Sequence, residues 1–273
     1  MSNTSFTKLC WICNSPAETR EHVHKKTDLK QILNDDNGFE RLVKISGEHK
    51  TKKIELADAK FERIQGVNSI ELKYPYNLCK ECNSTTTQPY DFSYGKFIDY
   101  ILKNKESIVK NSNFDFSEIY GEKFELSTSN LFRYFAKSIG CRINDAGEKV
   151  PSDIKKLAGG RSFTNTKLKI SFAINLDMIK LPERYQTGLG KAALIAPKYN
   201  WPYTRYLWRE SNRWLNIFYW YGYLPDKDFG ETLITNSKLI TLGKYKPMMP
   251  KNSFWAEFGS WDKQYIQTFM SEA

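Results

Sequence analysis

The sequence predicts an α+β fold: a small cysteine-framed module, then helices, then a β-rich C-terminal part. Three observations carry this. Two Cys-x-x-Cys pairs, Cys10/Cys13 and Cys79/Cys82, bracket a polar stretch with few apolar residues of its own. Apolar residues recur at helical spacing in two runs between residues 97 and 139. From about residue 165 the chain alternates apolar and polar residues and grows dense in aromatic and β-branched side chains, which suits strands. The expected division is a segment 1–125, holding the cysteine module and the helix after it, and a segment 126–273, helical and then β-rich.

In chain order, the stretch from Asp28 to Ile70 is expected to form an inserted helix and strand pair. Its apolar patches are short (Ile32, Leu33, Phe39, Leu42, Val43) and charge surrounds them, including Lys50, Lys52 and Lys53. After Cys82, the run Phe97, Ile98, Ile101, Leu102, Ile108, Val109 marks a helix with lysines and glutamates on its other face. A second helix carries Leu131, Phe132, Phe135, Ala136 and Ile139 on one face; Ser127 or Ser129 is expected to cap it and Gly140 to end it. A third, short helix is expected from Ser152 to Gly159-Gly160. Strands are expected over Lys167–Phe172, Asn216–Tyr223 and Lys238–Leu242. Cys141, beside an apolar helix face, reads as a small buried hydrophobe.

Composition bounds the function. The chain has 273 residues, 40% hydrophobic, enough to bury a core. No run of about 18 apolar residues occurs, so no membrane helix is expected. The N-terminal residues lack the plan of a signal peptide, and a cytosolic protein is expected. In a reducing compartment two Cys-x-x-Cys pairs point to metal rather than disulfides. The formal net charge of +10, growing toward the C-terminal end, favours polyanionic partners through counterion release.

The four cysteines match structural zinc. Zinc takes soft ligands in a tetrahedron, and two thiolate knuckles supply four. Such a closed site has no open position for chemistry, so its role is to hold the module. Bound zinc adds on the order of 10 kcal/mol of apparent folding free energy to a segment too small and polar to fold on its core.

Between the knuckles lies Ala17-Glu18-Thr19-Arg20-Glu21-His22-Val23-His24-Lys25-Lys26, and the second knuckle continues as Cys82-Asn83. The order Cys-x-x-Cys, acidic residue, His, then Cys-x-x-Cys-Asn resembles the HNH, or ββα-metal, nucleases, and within them the zinc-stapled branch that includes endonuclease VII-type junction resolvases. The resemblance covers roughly residues 8–100. It implies that His22 is the general base activating water against a phosphodiester, and that Glu21 and Asn83 hold a catalytic divalent metal, Mg²⁺ or Mn²⁺. The chemistry is consistent: a neutral imidazole can take a proton near pH 7, and a hard ion prefers oxygen ligands. Asn77 fits the middle Asn of the family name or a residue orienting the hairpin. His24 shares a face with His22 on a strand and could assist it. Lys25 and Lys26 are phosphate-contact candidates. Gln88-Pro89-Tyr90-Asp91 resembles a stretch that follows the last knuckle in one HNH subfamily, with an expected role in capping and packing the next helix.

In the C-terminal part Trp201, Tyr203, Tyr206, Trp208, Trp214, Phe218, Trp220 and Tyr221 interleave with Arg205, Arg209 and Arg213. Aromatic platforms beside arginines bind nucleic acid, but most of these rings are expected to build the core. The three arginines fall four apart and would share one basic face if helical, a candidate nucleic-acid surface.

The leading expectation is therefore a metal-dependent endonuclease acting on DNA, with a homodimer or protein partner possible because cutting two strands with one site favours two copies. Its alternative is a non-catalytic zinc module that binds nucleic acid or protein, which needs the cysteines but not His22. A redox or metal-sensing protein would show thiol chemistry and no use of Mg²⁺.

Overall fold

The fold comes from a computed structural model that describes residues 8–33, 42–46, 60–161, 166–180, 189–196, 205–222, 230–233 and 236–245. Helices and sheets are both present, in an α+β arrangement. The insertion between the cysteine pairs contains helix α1 (Lys26–Leu33) and strands β1 (Leu42–Ser46) and β2 (Lys60–Ile64). The two strands pair antiparallel, Leu42 opposite Ile64, giving the expected helix and strand pair. Phe39, Lys50, Lys52 and Lys53 lie outside the described residues. A satellite cluster of Leu29, Ile64 and Leu72, with Val67 and Leu189 packed on it, anchors the insertion.

A π-helical turn that contains Cys82, Glu81–Thr86, leads into α2 (Gln88–Lys103). Pro89 stands in its first turn, where a missing N–H costs nothing. Then come α3 (Lys105–Asn111), β3 (Asn113–Asp115), α4 (Phe116–Tyr120) and α5 (Phe124–Asp145). Ser112, in the left-handed region at φ 53°, ends α3, and the Asp115 carboxylate caps α4 by accepting the Ser117 N–H at 2.6 Å.

α5 corrects the expected boundaries. It begins at Phe124, before Ser127, and runs through Gly140 to Asp145. Gly140 is not a stop here because the ring of Trp11 lies against it: a Cβ at this position would meet ring carbons at 2.3, 2.7 and 2.8 Å. Close tertiary packing outweighs the roughly 1 kcal/mol helix penalty of glycine. α6 (Ser152–Ala158) follows as expected.

The remaining elements are β4 (Leu168–Asn175), α7 (Leu176–Lys180), β5 (Leu189–Ala196), β6 (Arg205–Asn212), β7 (Leu215–Tyr221), β8 (Leu239–Thr241) and β9 (Gly243–Tyr245). The main sheet has order β5-β6-β7-β4-β9, antiparallel except for the parallel pair β4/β9, and β8 pairs with β3 instead. Every residue of β7 is buried because both faces of this central strand are covered. Leu215, Ile217, Tyr219 and Tyr221 join the main core, while Phe218 and Trp220 pack with Ala173 on the other face. Most described rings of the aromatic run are thus core, as expected; Trp201 and Tyr203 lie outside the described residues.

One apolar cluster runs from Cys10 and Trp11 through α2 and α5 to β4 and β7, taking residues from both sides of position 125. At its centre the Phe97, Phe114 and Phe135 rings lie 5.3, 5.5 and 5.9 Å from that of Phe172. Cys141 is fully buried within it. No helix of the described residues is long and apolar enough to cross a membrane.

Candidate functional site

Cys10, Cys13, Cys79 and Cys82 place four sulfurs within 4.8 Å of one another, a group able to hold a metal ion such as zinc. A tetrahedron with Zn–S bonds of about 2.3 Å has sulfurs about 3.8 Å apart; Cys13 and Cys79 already stand 3.5 Å apart. Local geometry builds each knuckle. In the first, the Cys10 N–H donates to the Ser15 carbonyl at 2.7 Å, and Asn14 takes a left-handed φ of 67° to close the turn. In the second, the Cys82 N–H donates to Cys79 Sγ at 3.4 Å and the Asn83 N–H to the Cys79 carbonyl at 3.0 Å.

From the first knuckle the chain runs antiparallel to the approach to the second. Thr19 bridges Leu78 and His22 bridges Lys73. The Tyr74 N–H donates to the Glu21 carbonyl and the Val23 N–H to the Leu72 carbonyl, each at 2.8 Å. The insertion leaves and re-enters this hairpin beyond His22. Glu21 and His22 are thereby fixed by backbone pairing at the end of a hairpin whose other end is the cysteine cluster.

Glu21, His22, Val23, Tyr74, Tyr134, Lys137 and Ser138 line one small cleft. His22 is half-buried, and its Nε2 has no hydrogen-bond partner. Burial first, and then the charges of Lys73, Lys26 and Lys137, push its pKa below the ordinary 6.5, against a hydrogen bond to the Val67 backbone. The ring is therefore neutral at pH 7, the form that accepts a proton.

Lys137 sits on α5, 2% exposed, with its ammonium 3.0 Å from Glu21 Oε2 and 3.6 Å from Asp91 Oδ2. Burial alone would favour its neutral form, but the Glu21 and Asp91 carboxylates outweigh it and hold its pKa above the ordinary lysine range. Sequence reasoning missed both Lys137 and the part played by Asp91. The Gln88–Asp91 stretch does pack, through buried Tyr90, yet Asp91 itself pairs with Lys137. Lys137 falls beside the apolar face of α5, and Glu21 from the hairpin and Asp91 from α2 both meet its ammonium.

The other candidate residues are dispersed. Asn83, in the π-helical turn, does not line the cleft; its Oδ1 is buried without a hydrogen-bond partner. Asn77 is 1% exposed and takes part in the hairpin through its backbone, accepting the Trp11 N–H at 3.2 Å. His24 stands in the bend after the hairpin and does not line the cleft. Lys25 turns inward: its ammonium donates to the Asp91 carbonyl and lies 5.2 and 5.7 Å from the centres of the Tyr94 and Tyr134 rings. That placement commits it to the fold rather than to a phosphate. Lys26 opens α1, near enough for its charge to act on His22.

The arginines correct a second expectation. Arg205 and Arg209 lie on strand β6, and Arg213 occupies the β6–β7 turn at φ 53°, so no shared helical face forms. A spacing of four is also an even number of strand positions and fits both structures. Arg209 donates to the Tyr245 hydroxyl at 2.8 Å and lies over that ring.

No family model matches the chain, and no solved structure matches it.

Proposed function

We propose that this chain is a metal-dependent endonuclease of the HNH type, hydrolysing phosphodiester bonds of DNA. The observation that carries the reading is the pairing of Glu21 with His22 in one cleft, on a hairpin whose base is the four-cysteine cluster. The order of hairpin, knuckle and following helix agrees with a ββα-metal module, and the net charge of +10 suits a polyanionic substrate.

His22 acts as the base. Its Nε2 takes a proton from water, the oxygen attacks phosphorus, and the bond from phosphorus to one sugar oxygen breaks, that oxygen gaining a proton from solvent. Burial first, and then the charges of Lys73, Lys26 and Lys137, keep the ring neutral before the step, and those charges attract the phosphate. The cysteines would hold zinc for structure. Glu21 would hold Mg²⁺ or Mn²⁺, offering a hard carboxylate donor in the cleft; Asn83, the second ligand the resemblance implies, does not line that cleft, and its buried oxygen is not brought together with Glu21. When bound, that ion neutralises charge on the phosphate and on the leaving oxygen.

The test is relaxation of supercoiled plasmid by zinc-loaded protein with Mg²⁺ or Mn²⁺ added or omitted. Nicking that needs the added ion supports the reading; none on plasmid, branched DNA or RNA refutes it. A second reading, a non-catalytic zinc module binding nucleic acid or a protein partner, is favoured by the Glu21–Lys137 pair, which satisfies Glu21 inside the fold. That module would retain plasmid binding in gel shifts without cutting.

A further inference from the structure

We infer that Lys137 is a positioning residue for this site: its buried ammonium holds the Glu21 carboxylate and is the cation against which a divalent ion competes for it. The inference rests on Glu21 being a metal ligand, as proposed above. It goes further by setting how tightly that ligand binds.

The geometry leaves little freedom. Lys137 projects from the middle of α5, where Tyr134 and Ser138 beside it also line the cleft. At 2% exposure Lys137 is nearly covered, facing only the cleft that it lines with Glu21. Glu21 comes from the hairpin and Asp91 from the first turn of α2, so one ammonium ties three elements together at 3.0 and 3.6 Å. Lys25 fixes the Asp91 end by donating to its carbonyl.

A divalent ion binds a carboxylate oxygen at about 2.0–2.2 Å. If it took Glu21 in the observed position, it would stand only a few ångströms from the ammonium on the same carboxylate. Like charges that close in a partly buried cleft repel strongly. Asp91 supplies the relief: it is a second carboxylate within reach, to which Lys137 turns when the ion takes Glu21. The arrangement is a two-position device in which metal binding is opposed by an internal cation and made possible by that cation's alternative partner.

The experiment measures Mn²⁺ binding to the zinc-loaded full chain by the electron paramagnetic resonance signal of free Mn²⁺, for wild type, K137M, K137Q and E21Q. Zinc content and near-UV circular dichroism establish that each variant is folded. K137Q removes the charge but keeps an N–H donor, one atom shorter, on the Glu21 side, and answers the question should K137M not fold. K137M and K137Q are expected to bind Mn²⁺ about tenfold more tightly than wild type, and E21Q to lose the site. If E21Q loses Mn²⁺ while both Lys137 variants bind as wild type or more weakly, the inference about Lys137 is overturned and the ligand assignment stands. If E21Q binds as wild type does, Glu21 is no ligand, and the inference fails together with that assignment.

Discussion

Gly140→Ala is the substitution whose outcome follows most directly from the packing. In an exposed helix interior the change would stabilise by about 1 kcal/mol. Here the new methyl would lie 2.3 Å from Trp11 Cη2, 2.7 Å from Cζ2 and 2.8 Å from Cζ3, where carbon atoms normally stand 3.5–4.0 Å apart. Ring or helix must therefore withdraw by roughly 1 Å. The ring has little room to yield: Trp11 is 4% exposed, and its backbone is held between Cys10 and Cys13 by a hydrogen bond to Asn77. Overpacking of this kind costs about 1–3 kcal/mol and must also overcome the helix gain, so a net loss of about 1–2 kcal/mol is expected. Because Trp11 is part of the first knuckle, zinc should also escape faster. Urea unfolding of zinc-loaded protein reads the first effect, and zinc release to a colorimetric chelator reads the second. In a Trp11→Leu background the overlap vanishes and Gly140→Ala should turn neutral or stabilising. A Gly140→Ala protein as stable as wild type, with unchanged zinc release, would refute the packing of α5 on the knuckle.

Cys82→Ser removes one of four thiolates and should abolish zinc retention and unfold the hairpin module, since bound zinc supplies on the order of 10 kcal/mol of apparent folding free energy; metal analysis and near-UV circular dichroism check both. Asp28 gives a pH dependence. Burial pushes its carboxyl from the ordinary 3.8 up to about 6, against the hydrogen bond from Tyr94. A raised carboxyl pKa means the folded state holds the proton more tightly, so the favourable contribution is full below about pH 4 and lost as pH rises through about 6. The gap corresponds to about 3 kcal/mol. Asp28→Asn, which keeps an acceptor for Tyr94, should flatten the decline of melting temperature between pH 4 and 8; an unchanged slope would contradict the assignment.

Local signals were legible wherever one element decides its own structure. The Cys-x-x-Cys spacing marks a metal frame because each pair must form its own knuckle. The alternation at 167–172 became β4, and the aromatic density expected over 216–223 became the doubly covered β7 through Tyr221, Tyr223 lying outside the described residues. What stayed hidden depends on contacts far apart in sequence. Gly140 reads as a helix end until Trp11, more than a hundred residues earlier, is placed against it. Lys137 carries no local signal, and its place becomes visible only when Glu21 and Asp91 converge on it from two other elements. The arginine spacing fits helix and strand alike, and the β-sheet neighbours β5 and β7 decided it.

His22 is the proposed base, and His22→Ala tests that role most directly. Wild type and variant, matched for zinc content and circular dichroism, are incubated with supercoiled plasmid and Mg²⁺ or Mn²⁺ near pH 8. The predicted result is nicking by wild type and a loss of at least a hundredfold in rate in the variant, with plasmid binding retained. Cleavage at the wild-type rate by folded, zinc-loaded His22→Ala would contradict it.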